Sequence, residues 1–157
     1  MIQRMQTVWL LASTVALLGL FVLPYVNFID LVGLGKKIMV TGVYSSVNNE
    51  AVRESSSWLL AAVVAAVALL PLYLIFLYKN RRRQIAFILA EMVLVALLGL
   101  WMLSSANALL GGISQSVQAG NIGVGFFLPP VAIVCQAMAI SGIRRDGKLL
   151  KSADRLR

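Results

Sequence analysis

Four near-continuous apolar runs constrain this chain more than anything else in it: VWLLASTVALLGLFVLPYV, WLLAAVVAAVALLPLYLIFLY, IAFILAEMVLVALLGLWML and IGVGFFLPPVAIVCQAMAISGI, separated by polar or charged stretches. A run of about 20 residues covers about 30 Å as an α-helix, the thickness of a bilayer core. The chain has 157 residues, 60% of them hydrophobic, with mean hydropathy +0.87. Ordinary soluble domains hold roughly 45–50% apolar residues, and a soluble fold of this size has no interior that could hide the excess. The runs therefore predict an all-α membrane protein, a single integral domain over 1–157 built as a four-transmembrane-helix bundle, with helices at residues 7–26, 58–78, 85–103 and 122–143. The first run exceeds the roughly 7–15 residues of a signal-peptide core and no A-x-A-like site follows it, so it reads as retained.

Charge orients the bundle. Arg4 precedes helix 1, Lys79, Arg81, Arg82 and Arg83 occupy the 79–84 link, and Arg144, Arg145, Lys148, Lys151, Arg155 and Arg157 fill the tail 144–157. Only Lys36, Lys37 and Arg53 lie in the opposite loops, 27–57 and 104–121. The positive-inside rule then places both termini in the cytoplasm. Anionic lipid of the inner leaflet is the expected partner of these cations, at roughly 1 kcal/mol each near the surface. Nucleic acid is not expected, since basic flanks belong to any such protein.

The outer loops differ in kind. Residues 27–57 balance Asp30, Glu50 and Glu54 against Lys36, Lys37 and Arg53, and the portion KKIMVTGVYSSV is compatible with a short β-hairpin. Such a pair is marginal alone and needs a surface to pack on. SSANALLGGISQSVQAGN carries no charge and reads as a flexible or interfacial connection, or in its first part as a continuation of helix 3 to Leu110.

Within the runs, Glu91 lies eight residues past Arg83, about 12 Å inward. A carboxyl at that depth faces the bundle interior or water and suggests function. Gln136 precedes Arg144 by eight residues, Pro71 precedes Lys79 by eight, and Ser13 and Thr14 follow Arg4 by nine and ten. All four helices thus bring a polar group or a helix defect to one level, roughly 12–15 Å from the basic side. A layer of Glu91, Gln136, Thr14, Ser13 and the carbonyl freed by Pro71 follows. Three roles stay open: interhelical glue through a protonated Glu91, a proton, cation or substrate site, or a contact with a partner subunit.

Other features point to packing. Ala12, Ala16 and Gly19, and Ala61, Ala65 and Ala68, form small-residue stripes that allow close helix approach. Pro129 and Pro130 leave only about 21 Å of helix before Ile143, so GVGFFL must supply the rest as a kinked turn or broken helix. Trp9, Trp58, Tyr78 and Trp101 sit near the boundaries, where an aromatic belt lies.

Catalysis has little support. The chain has no histidine and one cysteine, Cys135, and neither a P-loop nor G-x-S-x-G occurs. No metal, cofactor or catalytic residue is expected. In the tail, Leu149, Ala153 and Leu156 recur at helical spacing beside Lys148, Lys151 and Arg155, which predicts a short amphipathic helix able to lie on the inner leaflet.

The start MIQRMQTVWLL and the finish RRDGKLLKSADRLR resemble the terminal segments of domain-of-unknown-function family 4293 (DUF4293), small four-span inner-membrane proteins of the Bacteroidota. The resemblance implies a bacterial cytoplasmic-membrane protein and brings no catalytic or ligand residue with it. The expected function is a non-enzymatic accessory or scaffold subunit of a membrane complex, docking on other membrane proteins through the tail. A small transporter or channel using the Glu91 layer, or a sensor of lipid or membrane stress, are the alternatives.

Overall fold

The computed structural model describes residues 3–29, 35–47, 50–77, 80–112 and 117–154. Among them the elements run α1 (Gln3–Gly19), β1 (Val26–Ile29), β2 (Gly35–Met39), β3 (Gly42–Val47), β4 (Glu50–Ser56), α2 (Trp58–Phe76), α3 (Arg81–Gly111) and α4 (Leu128–Asp154), with 3-10 turns at Ala119–Asn121 and Val124–Phe127. Helix α1 packs on α2 and α4, and α3 packs on the same two, so the four helices close a ring.

The all-α, four-helix reading is corrected by the loop between α1 and α2. Instead of one hairpin it holds a four-stranded antiparallel sheet in the order β1-β2-β3-β4, and among the described residues three helices are long and apolar enough to cross a membrane, while α1 is shorter. Two local causes explain the difference. Pro24 cannot continue a helix and biases Leu23 toward extended backbone, so the first apolar run breaks after Gly19 in tight turns such as Leu23 N–H to Gly19 O at 2.9 Å. Its last residue, Val26, begins a strand with buried and exposed positions alternating. Strand β4, EAVRESS, is polar and has little strand signature. Its pairing with β3 supplies the order that its own composition does not.

The register lays Val26, Ile38 and Val43 side by side on one face, with Phe28 and Ser45 in the next row, and Asn27, Lys37, Tyr44 and Arg53 on the other face. The first group is buried in the same apolar cluster as Leu17, Leu20, Leu60, Leu98, Met102 and Leu110. The sheet is therefore a cap sharing its core with the helices. Tyr25 is buried beneath it, and burial pushes its phenol above the ordinary 10.0, with the Ser105 hydroxyl pulling the other way.

Two glycine placements make the cap. Gly42 has φ +148°, and a Cβ there would lie 2.0 Å from the Ser55 carbonyl oxygen, so the β2–β3 turn accepts no side chain. Gly123 and Gly125 bring the segment before α4 against the α1–β1 turn, through Gly123 N–H to Tyr25 O and Gly125 N–H to Pro24 O, both 2.9 Å. That segment covers the β1 edge, where Val26 bridges Ile122. Strand β4 is tied to the β2–β3 turn on the exposed face: Arg53 Nη2 donates to Thr41 O at 2.7 Å and Ser56 Oγ at 2.8 Å. Lys36 pairs with Glu54 at 2.8 Å, a surface contact worth about 0–1 kcal/mol.

The prolines of LPP open α4 rather than interrupt it. At the first positions of a helix the missing N–H costs nothing, and the turn Val124–Phe127 provides the preceding length. Helix α4 then runs 27 residues, about 40 Å, without a break at Ile143. Residues 144–154 are thus a continuation of α4, not a separate helix laid on a membrane surface. Helix α3 is likewise long, 31 residues or about 46 Å, so it exceeds a bilayer core of about 30 Å.

Candidate functional site

Two apolar clusters fill the ring. One joins the sheet to the helices, and the other, Leu10, Leu74, Ile88, Ala139, Ile140 and Ile143, lies toward the arginine-rich end. Between them falls a band of buried polar side chains: Ser13 and Gln136 at 0% exposure, Glu91 at 2% and Thr14 at 3%.

The helical repeat explains the placement. On α3 the buried positions Gln84, Ile88, Glu91, Val95 and Leu98 recur at spacings of three and four, so Glu91 falls on the interior stripe. Gln136 sits on α4 between buried Ala132 and Ala139, opposite it. Its Nε2 donates to Glu91 Oε1 at 2.8 Å and to Ser13 Oγ at 3.1 Å. One amide therefore ties α1, α3 and α4 together. Thr14 instead donates back to Leu10 O of its own helix at 3.1 Å, as a hydroxyl in mid-helix commonly does. Pro71 is buried on α2 between Ala68 and Leu74, and the side-chain bonds of the layer join the other three helices.

The chemistry of the layer is limited. Glu91 meets no cation among the described residues; its pairing is with an amide. Its Oε2 and Gln136 Oε1 are buried without a hydrogen-bond partner. Such orphaned acceptors are costly, and native structures keep them few. Neither of the two cavities described reaches the layer. One of about 600 Å³ opens beside β1, β2 and the turn Ala119–Asn121, and one of about 150 Å³ lies between α3 and the start of α4. Among the described residues, no three His, Cys, Asp or Glu side chains come together.

The basic residues gather at the other end. Arg82, Arg83, Arg144 and Arg145 are exposed and Arg81 is half-buried. Lys148 and Lys151 lie on the last turns of α4, while Arg155 and Arg157 lie outside the described residues. Arg81, Arg82 and Arg83 occupy the N-terminus of α3, where the helix dipole disfavours cations by about 0.3–1 kcal/mol each. Helix stability does not explain them; an anionic surface would.

Two buried contacts at this end carry little signature in the sequence. Asp146, 5% exposed, accepts a hydrogen bond from Gln6 Nε2, joining α4 to α1, and its Oδ1 has no partner. Gln84 Nε2 donates to Leu74 O at 3.0 Å, joining α3 to α2. The signal for Asp146 was its lone acidic charge within RRDGK, among cations it does not need for solubility.

This geometry defines a class: a membrane-type helical chain with a β-sheet cap on one end, its helices tied by the amides of Gln6, Gln84 and Gln136. The sequence profile described as Domain of unknown function (DUF4293) matches residues 2–156, and the chain belongs to that family. No curated protein matches it.

Proposed function

We propose that the protein is a non-enzymatic, multi-pass protein of a bacterial cytoplasmic membrane that acts as an accessory or scaffold subunit, docking a partner at its arginine-rich end. The observation that carries this reading is the unbroken course of α4 from Leu128 to Asp154. The helix that holds Gln136 in the core also exposes Arg144 and Arg145 beyond it and continues through positions 148 and 151. A partner gripping those turns gains a rigid handle, tied to α1 by Asp146 and Gln6. Orientation in the membrane would put this end in the cytoplasm and the sheet outside. Membrane placement is supported by three helices long and apolar enough to cross.

Affinity purification from membranes in mild detergent tests it. One stoichiometric membrane-protein partner is expected, lost when residues 148–157 are deleted; a chain that purifies alone overturns the proposal.

A second reading, ion or proton passage through the layer, is favoured by the two unpartnered oxygens of Glu91 and Gln136. Against it stand the apolar clusters on both sides of the layer. Flux in proteoliposomes that disappears in Glu91→Gln would favour this reading over the first.

A further inference from the structure

The smaller cavity has a shape that selects its occupant. It is lined by Ala96, Gly99 and Leu103 of α3 and by Phe126, Pro129 and Ile133 of the segment opposite, and its exposed lining is almost wholly apolar. Its origin is in the sequence: Gly99 has no side chain, and a Cβ there would come no nearer than 4.0 Å to Pro129. A side chain at Gly99 would thus reach ordinary contact with Pro129, and its absence leaves the gap. The lining runs from Val95 to Leu103, eight residues or about 12 Å along the helix axis. About 150 Å³ is open to the centre of a water molecule, and over that length this leaves about 7 Å between the walls once the water radius of about 1.4 Å is added on each side.

That width decides between occupants. A helix with its side chains is about 10–12 Å across, so no partner helix enters. A row of methylenes is about one carbon contact distance wide, about 3.5–4.0 Å. The notch also runs parallel to helices of membrane-spanning length, as lipid chains do. Left unfilled, its walls would forfeit their dispersion contacts on one side, and in a bilayer the available filler is hydrocarbon.

We infer that the notch between α3 and the start of α4 seats one acyl chain of a bilayer phospholipid. This rests on the membrane placement proposed above, and the test separates the two. The protein is reconstituted in vesicles of phosphatidylethanolamine and phosphatidylglycerol containing phosphatidylethanolamine with a diazirine in its acyl chain, then irradiated, and adducts are mapped by peptide. Adducts are expected on all lipid-facing helices, about tenfold denser on the peptides of the notch, a ratio equivalent to about 1.4 kcal/mol. Gly99→Leu, whose side chain fills the notch, is expected to abolish the excess. Ala96→Leu is expected to do the same from one turn nearer the polar layer, whereas Leu97→Ala, at an exposed position outside the lining, keeps it. Even labelling of the wild type over all helices, or an excess that survives both filling substitutions, overturns the acyl-chain site while leaving the membrane placement standing. Labelling absent from every helix overturns both.

Discussion

At Gln136 one amide joins three helices through two hydrogen bonds, and its loss reaches further than its size suggests. Gln136→Ala removes the donor to Glu91 and to Ser13 together. A buried group left unpaired costs about 1–3 kcal/mol, so thermal unfolding in detergent is expected to show a loss in that range. Glu91→Gln keeps an acceptor in place and is expected to cost less than half as much; equal losses would contradict the reading of Gln136 as the hub. Tyr25 supplies a second residue-level test. Its phenol ionises above the ordinary 10.0 in the folded chain because burial disfavours the anion. The stability tied to the neutral form is complete below about pH 10 and lost as pH rises from there toward the folded value, at up to about 1.4 kcal/mol per pH unit. Tyr25→Phe should flatten that alkaline limb in pH-dependent unfolding, and an unchanged limb would assign it to other groups. The depth of Glu91, Gln136 and Ser13 was legible from counting along helices, because a rise of about 1.5 Å per residue is the same in every helix. Which hydroxyl would cross to Gln136 was not: Ser13 and Thr14 differ by one step of about 100° around α1, and only the packed bundle settles which faces α4.

Among the elements, the cap was harder to read than the helices. The expected hairpin lay within KKIMVTGVYSSV, and β2 and β3 do pair there. The outer strands escaped notice because β1 is fused to an apolar run and β4 is nearly all polar, so each takes its structure from its neighbour. The turn at Gly42 is the element's weak point. Gly42→Ala meets the Ser55 carbonyl and an unfavourable φ together, with backbone strain of about 1–3 kcal/mol. Limited proteolysis should then cut within β2–β4 while α2, α3 and α4 stay protected; simultaneous loss of the helices would show that the cap and bundle unfold as one unit. The length of α4 is hidden from hydropathy for a different reason. Hydropathy ends at Ile143, but helical hydrogen bonds continue wherever no residue opposes them, and Gly147 alone is a small obstacle at about 1 kcal/mol.

For the whole molecule, the continuous α4 makes a mechanical prediction. Inserting Gly-Pro between Ile143 and Arg144 leaves every side chain of the basic end intact and breaks only the helix. If the partner grips a rigid handle, co-purification should fall as far as it does on deleting 148–157; retention of the partner would mean that charge alone is recognised. Finally, the polar layer bears on how the helices find their height. The contacts above and below it are apolar and mostly aliphatic, so a helix displaced by one turn, about 5.4 Å, would still meet acceptable neighbours there. It would also strand Gln136 against methyl groups, with both of its amide hydrogens unspent. Ser13, Glu91 and Gln136 thus act as the notch of a key, admitting one axial setting of the bundle and rejecting its near copies.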